Sequence, residues 1–169
     1  MSAIASFYVL DRAHIARLVA AAELAAALDA RPDVTFEDVA DGDYELPGDT
    51  LRTVGRELGD DYGWSGYCML YLLTYLSDRG VDLFESEYGT ESDVINSSYN
   101  LTVLMTSTHK VHLPQLDPAV HSDQELLQHF EEMGYGFEEA GTAAREGLEI
   151  LRDQIAALGD HEAFVLHVG

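Results

Sequence analysis

The run from Tyr67 to Leu76 (Tyr67-Cys68-Met69-Leu70-Tyr71-Leu72-Leu73-Thr74-Tyr75-Leu76) has no polar face. A helix built from it is apolar almost all round, and such a helix is stable only when other elements enclose it. The run is too short to cross a bilayer, which takes about 20 apolar residues, and Asp78 and Arg79 close it. It therefore predicts a central, buried helix, with Ser65 as N-cap and Gly80 as a left-handed stop. The chain has 169 residues and is 47% hydrophobic. That is enough for a single domain over residues 1–169 to bury a core without a disulfide or a structural metal.

The rest of the chain supplies the enclosure. Ser2 to Leu10 predicts a first strand, with Phe7, Tyr8 and Val9 apolar. Asp11 stands at an N-cap position ahead of an alanine-rich helix, Asp11 to Ala30, which Pro32 stops. Val34, Phe36 and Val39 fit either a short strand or a helical turn, and Asp41, Gly42 and Asp43 mark a turn. Leu51, Val54 and Leu58 fall on one face of a short helix from Pro47 that Gly59 ends. Val81 to Asn96 reads as an acidic loop with a short helix near Val94. Leu101 to Met105 is a strand, and His109 to Leu113 either continues it or returns beside it. Ser122 and Glu125 have capping-box spacing, and Gly134 and Gly136 break the helix that follows. A last helix from Phe137 to Leu158 precedes a closing strand, Ala163 to Val168. These elements predict an α+β fold. A small mixed sheet contains both terminal strands, and several helices cover it, one of them central and apolar.

Several of these segments also resemble a known family. They are the opening Met1-Ser2-Ala3-Ile4-Ala5-Ser6-Phe7-Tyr8, and Trp64 followed by Leu70, Leu72, Leu73 and Thr74 with Asp60 or Asp61 ahead of it. The third is the ending Ala163-Phe164-Val165-Leu166-His167-Val168-Gly169. Together they look like the YfbM-like family of bacterial proteins of unknown function. Before the last helix, where that family has a tyrosine–proline–tryptophan stretch, this chain has Gly134-Tyr135-Gly136-Phe137. The resemblance implies an α+β fold and carries no activity.

Charge narrows the choice of partners. The formal net charge is -22, with a single lysine, Lys110. Such a field repels nucleic acid and anionic membranes and attracts a basic protein. A lysine-poor acidic surface is also a solubility habit of halophiles and of some high-GC bacteria, and the composition fits both readings. Cys68 is the only cysteine, so no internal disulfide forms. Met1 to Leu10 has neither a basic n-region nor a cleavage site. The sequence is accordingly read as that of a cytoplasmic protein.

The residues suited to chemistry are sparse. His109 and His112, with His121 and Asp117 beyond them, are the nearest approach to a metal set, but an extended segment there points the first two to opposite faces. No metal site and no cofactor is expected. Cys68 sits in the apolar run and reads as a core thiol. Phosphate-loop and nucleophile-elbow patterns are missing, and Glu131–Glu132 and Glu138–Glu139 read as solvated helix faces. The most suggestive segment mixes acids with tyrosines: Glu85, Glu87, Tyr88, Glu91, Asp93 and Tyr99. Acids attract a basic partner, and tyrosines supply contact area at low entropic cost. Asp60, Asp61, Tyr62 and Trp64 form a second such group, in which Trp64 also suits an anchor for the central helix. Two functions follow. One is a non-catalytic, acidic protein-binding module of the immunity or antitoxin type. The other is a small hydrolase or metal-dependent enzyme using the clustered histidines and acids.

Overall fold

The computed structural model describes residues 3–41, 44–59, 62–97 and 100–169. The strands β1 (Ala5–Asp11), β2 (Arg56–Glu57), β3 (Leu101–Thr106) and β4 (Glu162–Val168) form one sheet in the order β2-β1-β4-β3. It holds the first and last strands side by side, as their apolar patterns predict. It is antiparallel throughout rather than mixed. Chain path explains this at one edge: β3 ends at Thr106, which pairs with Ala163 at the start of β4. The chain re-enters the sheet at the end it left, so the pairing must be antiparallel.

Alternation along the strands gives the sheet two apolar faces. Phe7, Val9, Val103, Met105, Phe164, Leu166 and Val168 face one helical layer, built from α4 (Gly66–Ser77), α7 (Asp123–Glu132) and α8 (Ala140–Ala157). Tyr8, Leu10, Leu104 and Val165 face the other, built from α1 (Ile15–Asp29), α3 (Pro47–Val54) and α5 (Gly89–Ile95). The short helices α2 (Phe36–Asp41) and α6 (Leu113–Leu116) complete the set. Phe7 stacks on Phe164 through the middle of the first layer, with centroids 6.0 Å apart and planes 10° apart.

The central helix is α4. Leu72, Leu73, Tyr75 and Leu76 are fully buried, each contributing roughly 1.5–3 kcal/mol of hydrophobic stabilisation. Ser65 caps it, its Oγ accepting from the Tyr67 amide at 3.4 Å, and Gly80 closes it with φ +80°. The capping box expected at Ser122 and Glu125 is formed at the start of α7. Among the described residues no helix is long and apolar enough to cross a membrane.

Some expectations need correction. The helix from Pro47 ends at Val54, not Gly59, and Leu58 is not on it. Gly55 leaves the helix in extended backbone (φ -89°, ψ 148°), where a Cβ would lie 2.6 Å from the Leu51 carbonyl oxygen and 3.2 Å from the Tyr8 side chain, so the exit needs a glycine. The next residues then pair with β1, Arg56 opposite Val9 and Glu57 opposite Tyr8. The stretch after β3 neither continues the strand nor returns beside it. Residues Ser107–His112 wind into a 3-10 helix. The last helix starts at Ala140 rather than Phe137. Of Val34, Phe36 and Val39, the last two lie in the short helix α2 and Val34 precedes it, while Gly42 and Asp43 of the expected turn lie outside the described residues.

Candidate functional site

The acidic segment leaves the end of α4, crosses the ends of β1 and β3, and enters α5. Asp82 starts it with a turn, its carboxylate accepting from the amides of Phe84 (2.9 Å) and Glu85 (3.3 Å). Asn96 ends it against the free edge of β3. Its side-chain nitrogen donates to the Thr102 carbonyl at 2.8 Å, and its oxygen accepts from the Thr102 amide at 2.6 Å. The carboxamide thus stands in for a neighbouring strand.

Glu87 and Tyr88 are engaged inside the molecule. Arg12, just past β1, donates from Nη2 to Glu87 at 2.5 Å and from Nε to the Tyr88 hydroxyl at 2.7 Å. Its guanidinium also lies over the Tyr88 ring, 5.0 Å from the centroid. The Thr106 hydroxyl donates to the other Glu87 oxygen at 2.9 Å. Burial works to raise the Glu87 carboxyl, but the hydrogen bonds from its own backbone, Thr106 and Arg12 outweigh it and hold it below the usual carboxylate range. These two residues, expected to face a partner, clasp the segment to the sheet instead. Glu85 and Asp93 are exposed and Glu91 is half-buried. Their side chains make no hydrogen bond or ion pair among the described residues. Phe84 stands beside them, 36% exposed. Tyr99 lies outside the described residues.

The histidines do not converge. His109 is buried and lies at the third position of the 3-10 helix. Its Nδ1 accepts from the Thr106 amide at 3.0 Å, and its Nε2 donates to the Glu85 carbonyl at 2.9 Å. The winding places His112 on the same side, with ring centroids 6.4 Å apart, correcting the opposite-face expectation. His121 faces elsewhere. Its Nε2 donates to the Gln115 carbonyl at 2.6 Å, which leaves Nδ1 to accept from the Tyr75 hydroxyl at 3.0 Å. Asp117 caps the Ala119 amide at 2.9 Å. His129 donates to the Tyr71 carbonyl at 3.0 Å. Among the described residues no group of His, Cys, Asp and Glu is arranged to hold a metal.

A second feature lies between the start of α4 and the connection from α7 to α8. Gly63, Trp64, Ser65 and Cys68 from one side and Gly134, Tyr135, Gly136 and Phe137 from the other line a cavity of about 400 Å³. Trp64 and Phe137 touch at 6.0 Å between centroids, and Phe137 and Tyr135 at 5.8 Å. The Trp64 indole N–H donates to Glu146 at 2.6 Å, so Trp64 is the anchor its place in the sequence suggests. Tyr62 reaches under it to donate to the Ala143 carbonyl at 3.0 Å. Burial pushes the Tyr62 hydroxyl and the Cys68 thiol up from their ordinary pKa ranges, so neither supplies an anionic nucleophile. Asp60 and Asp61 lie outside the described residues.

Sequence reasoning missed both the Arg12 clasp and this cavity. Arg12 and Tyr88 are 76 positions apart and nothing local links them. The Gly134-Tyr135-Gly136-Phe137 run carried a usable signal, since aromatics set between glycines in a connection need packing partners. No family model, curated protein or solved structure matches this chain at a significant level.

Proposed function

We propose that this chain is a non-catalytic, acidic binding module whose partner is a basic protein, of the kind an immunity protein or antitoxin neutralises. One observation carries the reading. Glu85, Glu91 and Asp93 share a segment with the exposed Phe84 and have no internal partners among the described residues, on a chain where six of the nine Lys and Arg residues are already in ion pairs. Too few cations are present to neutralise the acids, whose excess is -22. The clasp at Glu87 and Tyr88 presents those acids from a fixed loop, which lowers the ordering cost of binding. The enzyme reading has less behind it. His109, His121 and His129 each spend ring nitrogens on the backbone, and no histidine or carboxylate is among the described residues that line the cavity. Kinship with the YfbM-like family is part of the same proposal and rests on the short segments named above.

The test is calorimetric titration with a hexa-arginine peptide at several salt concentrations. The triple variant Glu85→Gln, Glu91→Gln, Asp93→Asn should bind at least threefold more weakly than Glu23→Gln, Asp29→Asn, Glu37→Gln, which removes the same charge from other exposed positions. The segment variant should also show the shallower salt dependence. Equal losses in the two variants would reduce the attraction to a diffuse field and end the assignment of the segment.

A further inference from the structure

The aromatic cavity has no role in the fold beyond packing, and its chemistry is selective. Its walls are the rings of Trp64, Tyr135 and Phe137, whose faces carry the negative lobe of the ring quadrupole. Among the described residues no cation lines it, and two carboxylate residues contact its lining residues. Glu146 accepts the indole N–H of Trp64. Glu131 crowds Gly136 so closely that a Cβ there would lie 2.7 Å from its Cγ. The floor is Cys68, a thiol held protonated by burial. The rings are also fixed in advance, Trp64 by Glu146 and by its contact with Phe137. A cavity of this kind repels anions and favours a cation that can shed water.

We propose that it receives the guanidinium of an arginine side chain belonging to the basic partner, an inference that rests on the binding reading above. The guanidinium is flat, weakly hydrated and stacks on aromatic faces, while an ammonium is compact and keeps its water more tightly. With aromatic residues and no carboxylate among the described lining residues, the planar cation fits the site better than the compact one.

Trp64 is the only tryptophan, so its emission reports this cavity alone. Hexa-arginine should change that emission saturably. A hexa-citrulline peptide, matched in shape without the charge, should not, and hexa-lysine should give a smaller change. Gly63 lines the cavity, and a Cβ built on it meets nothing within 4 Å. Gly63→Leu should therefore melt like the parent yet bind hexa-arginine at least fivefold more weakly. The acidic-segment triple variant should bind more weakly and still reach the parent's full emission change at saturation. Hexa-arginine binding with an unchanged emission and an unaffected Gly63→Leu variant would overturn the cavity assignment and leave the binding reading standing. An equal response to citrulline or to lysine would overturn the choice of arginine. Failure of the parent protein to bind hexa-arginine at all would remove both.

Discussion

His109 gives the sharpest test of how the acidic segment is held. Its imidazole joins the end of β3 to the segment through Thr106 and Glu85. In His109→Ala the Thr106 amide, on a fully buried residue, loses its acceptor, which costs about 1–3 kcal/mol. The Glu85 carbonyl sits at the surface and recovers water, so its loss is about 0.5–1.5 kcal/mol. A total of about 1.5–4.5 kcal/mol follows before any cavity cost. His109→Asn separates the two bonds. The Asn oxygen occupies the place of Nδ1 and keeps the Thr106 bond, while nothing reaches Glu85, so its loss should be about a third of that of the alanine variant. Urea unfolding measures both, read as a shift in midpoint at constant slope. Amide exchange adds a local signature: Thr106 should stay protected in the asparagine variant and open in the alanine one. An alanine variant within about 1 kcal/mol of the parent, or an asparagine variant that loses as much as alanine with Thr106 open, would refute this account of the histidine.

Leu73→Ala in the fully buried α4 should cost about 2–5 kcal/mol, or roughly 2–4 °C of Tm for each kcal/mol in a chain of this size. The apolar but 71% exposed Val111 provides the contrast, with Val111→Ala expected within about 0.5 kcal/mol of the parent. Equal losses at the two positions would contradict the central-helix assignment. His167 predicts a pH dependence. Burial first, and the positive charge of Arg52 second, hold it below the ordinary value of 6.5. The unfolded chain therefore takes up a proton that the fold refuses. That contribution to stability is complete above pH 6.5 and is lost as the pH falls below it. Melting at pH 7.5 and at 5.5 should show a smaller drop for His167→Gln than for the parent; an equal drop would clear His167 of any part in it.

The legible parts of the fold were those written in neighbouring residues. Ser65 and Gly80 bound α4, and Ser122 and Glu125 open α7, because each signal and its partner lie within one or two turns. Strands β1 and β4 were visible as apolar runs. The end of α3 was not, because Leu58 continues the helical spacing while Gly55 answers to the approach of Tyr8, which is distant in sequence. The turn at Ser107–His112 was hidden in the same way. Val111 and Pro114 read as extended, and only the bond from the Thr106 amide to His109 reveals the winding. For the site, the sequence singled out the acidic segment but gave no sign of what holds two of its members. Glu87 and Tyr88 look like contact residues until Arg12 is brought beside them. The exposed remainder of the segment differs from them only in lacking such a neighbour.

The pairing of β1 with β4 also sets a timetable. These strands form the middle of the sheet, yet β4 is made more than 150 residues after β1, with Ala5 opposite Val168. Closing so long a loop costs about 2 kcal/mol more than closing one a tenth as long. Until Val168 emerges, β1 has only the two residues of β2 to pair with. Phe7 and Val9 then lack Phe164 and Leu166, and α4 has no finished face to lie on. The nascent chain must therefore carry its most apolar helix, Gly66–Ser77, unhoused until Glu162–Val168 is made, a period in which aggregation competes with folding. It should also fold slowly for its helix content, because its decisive contact is its longest.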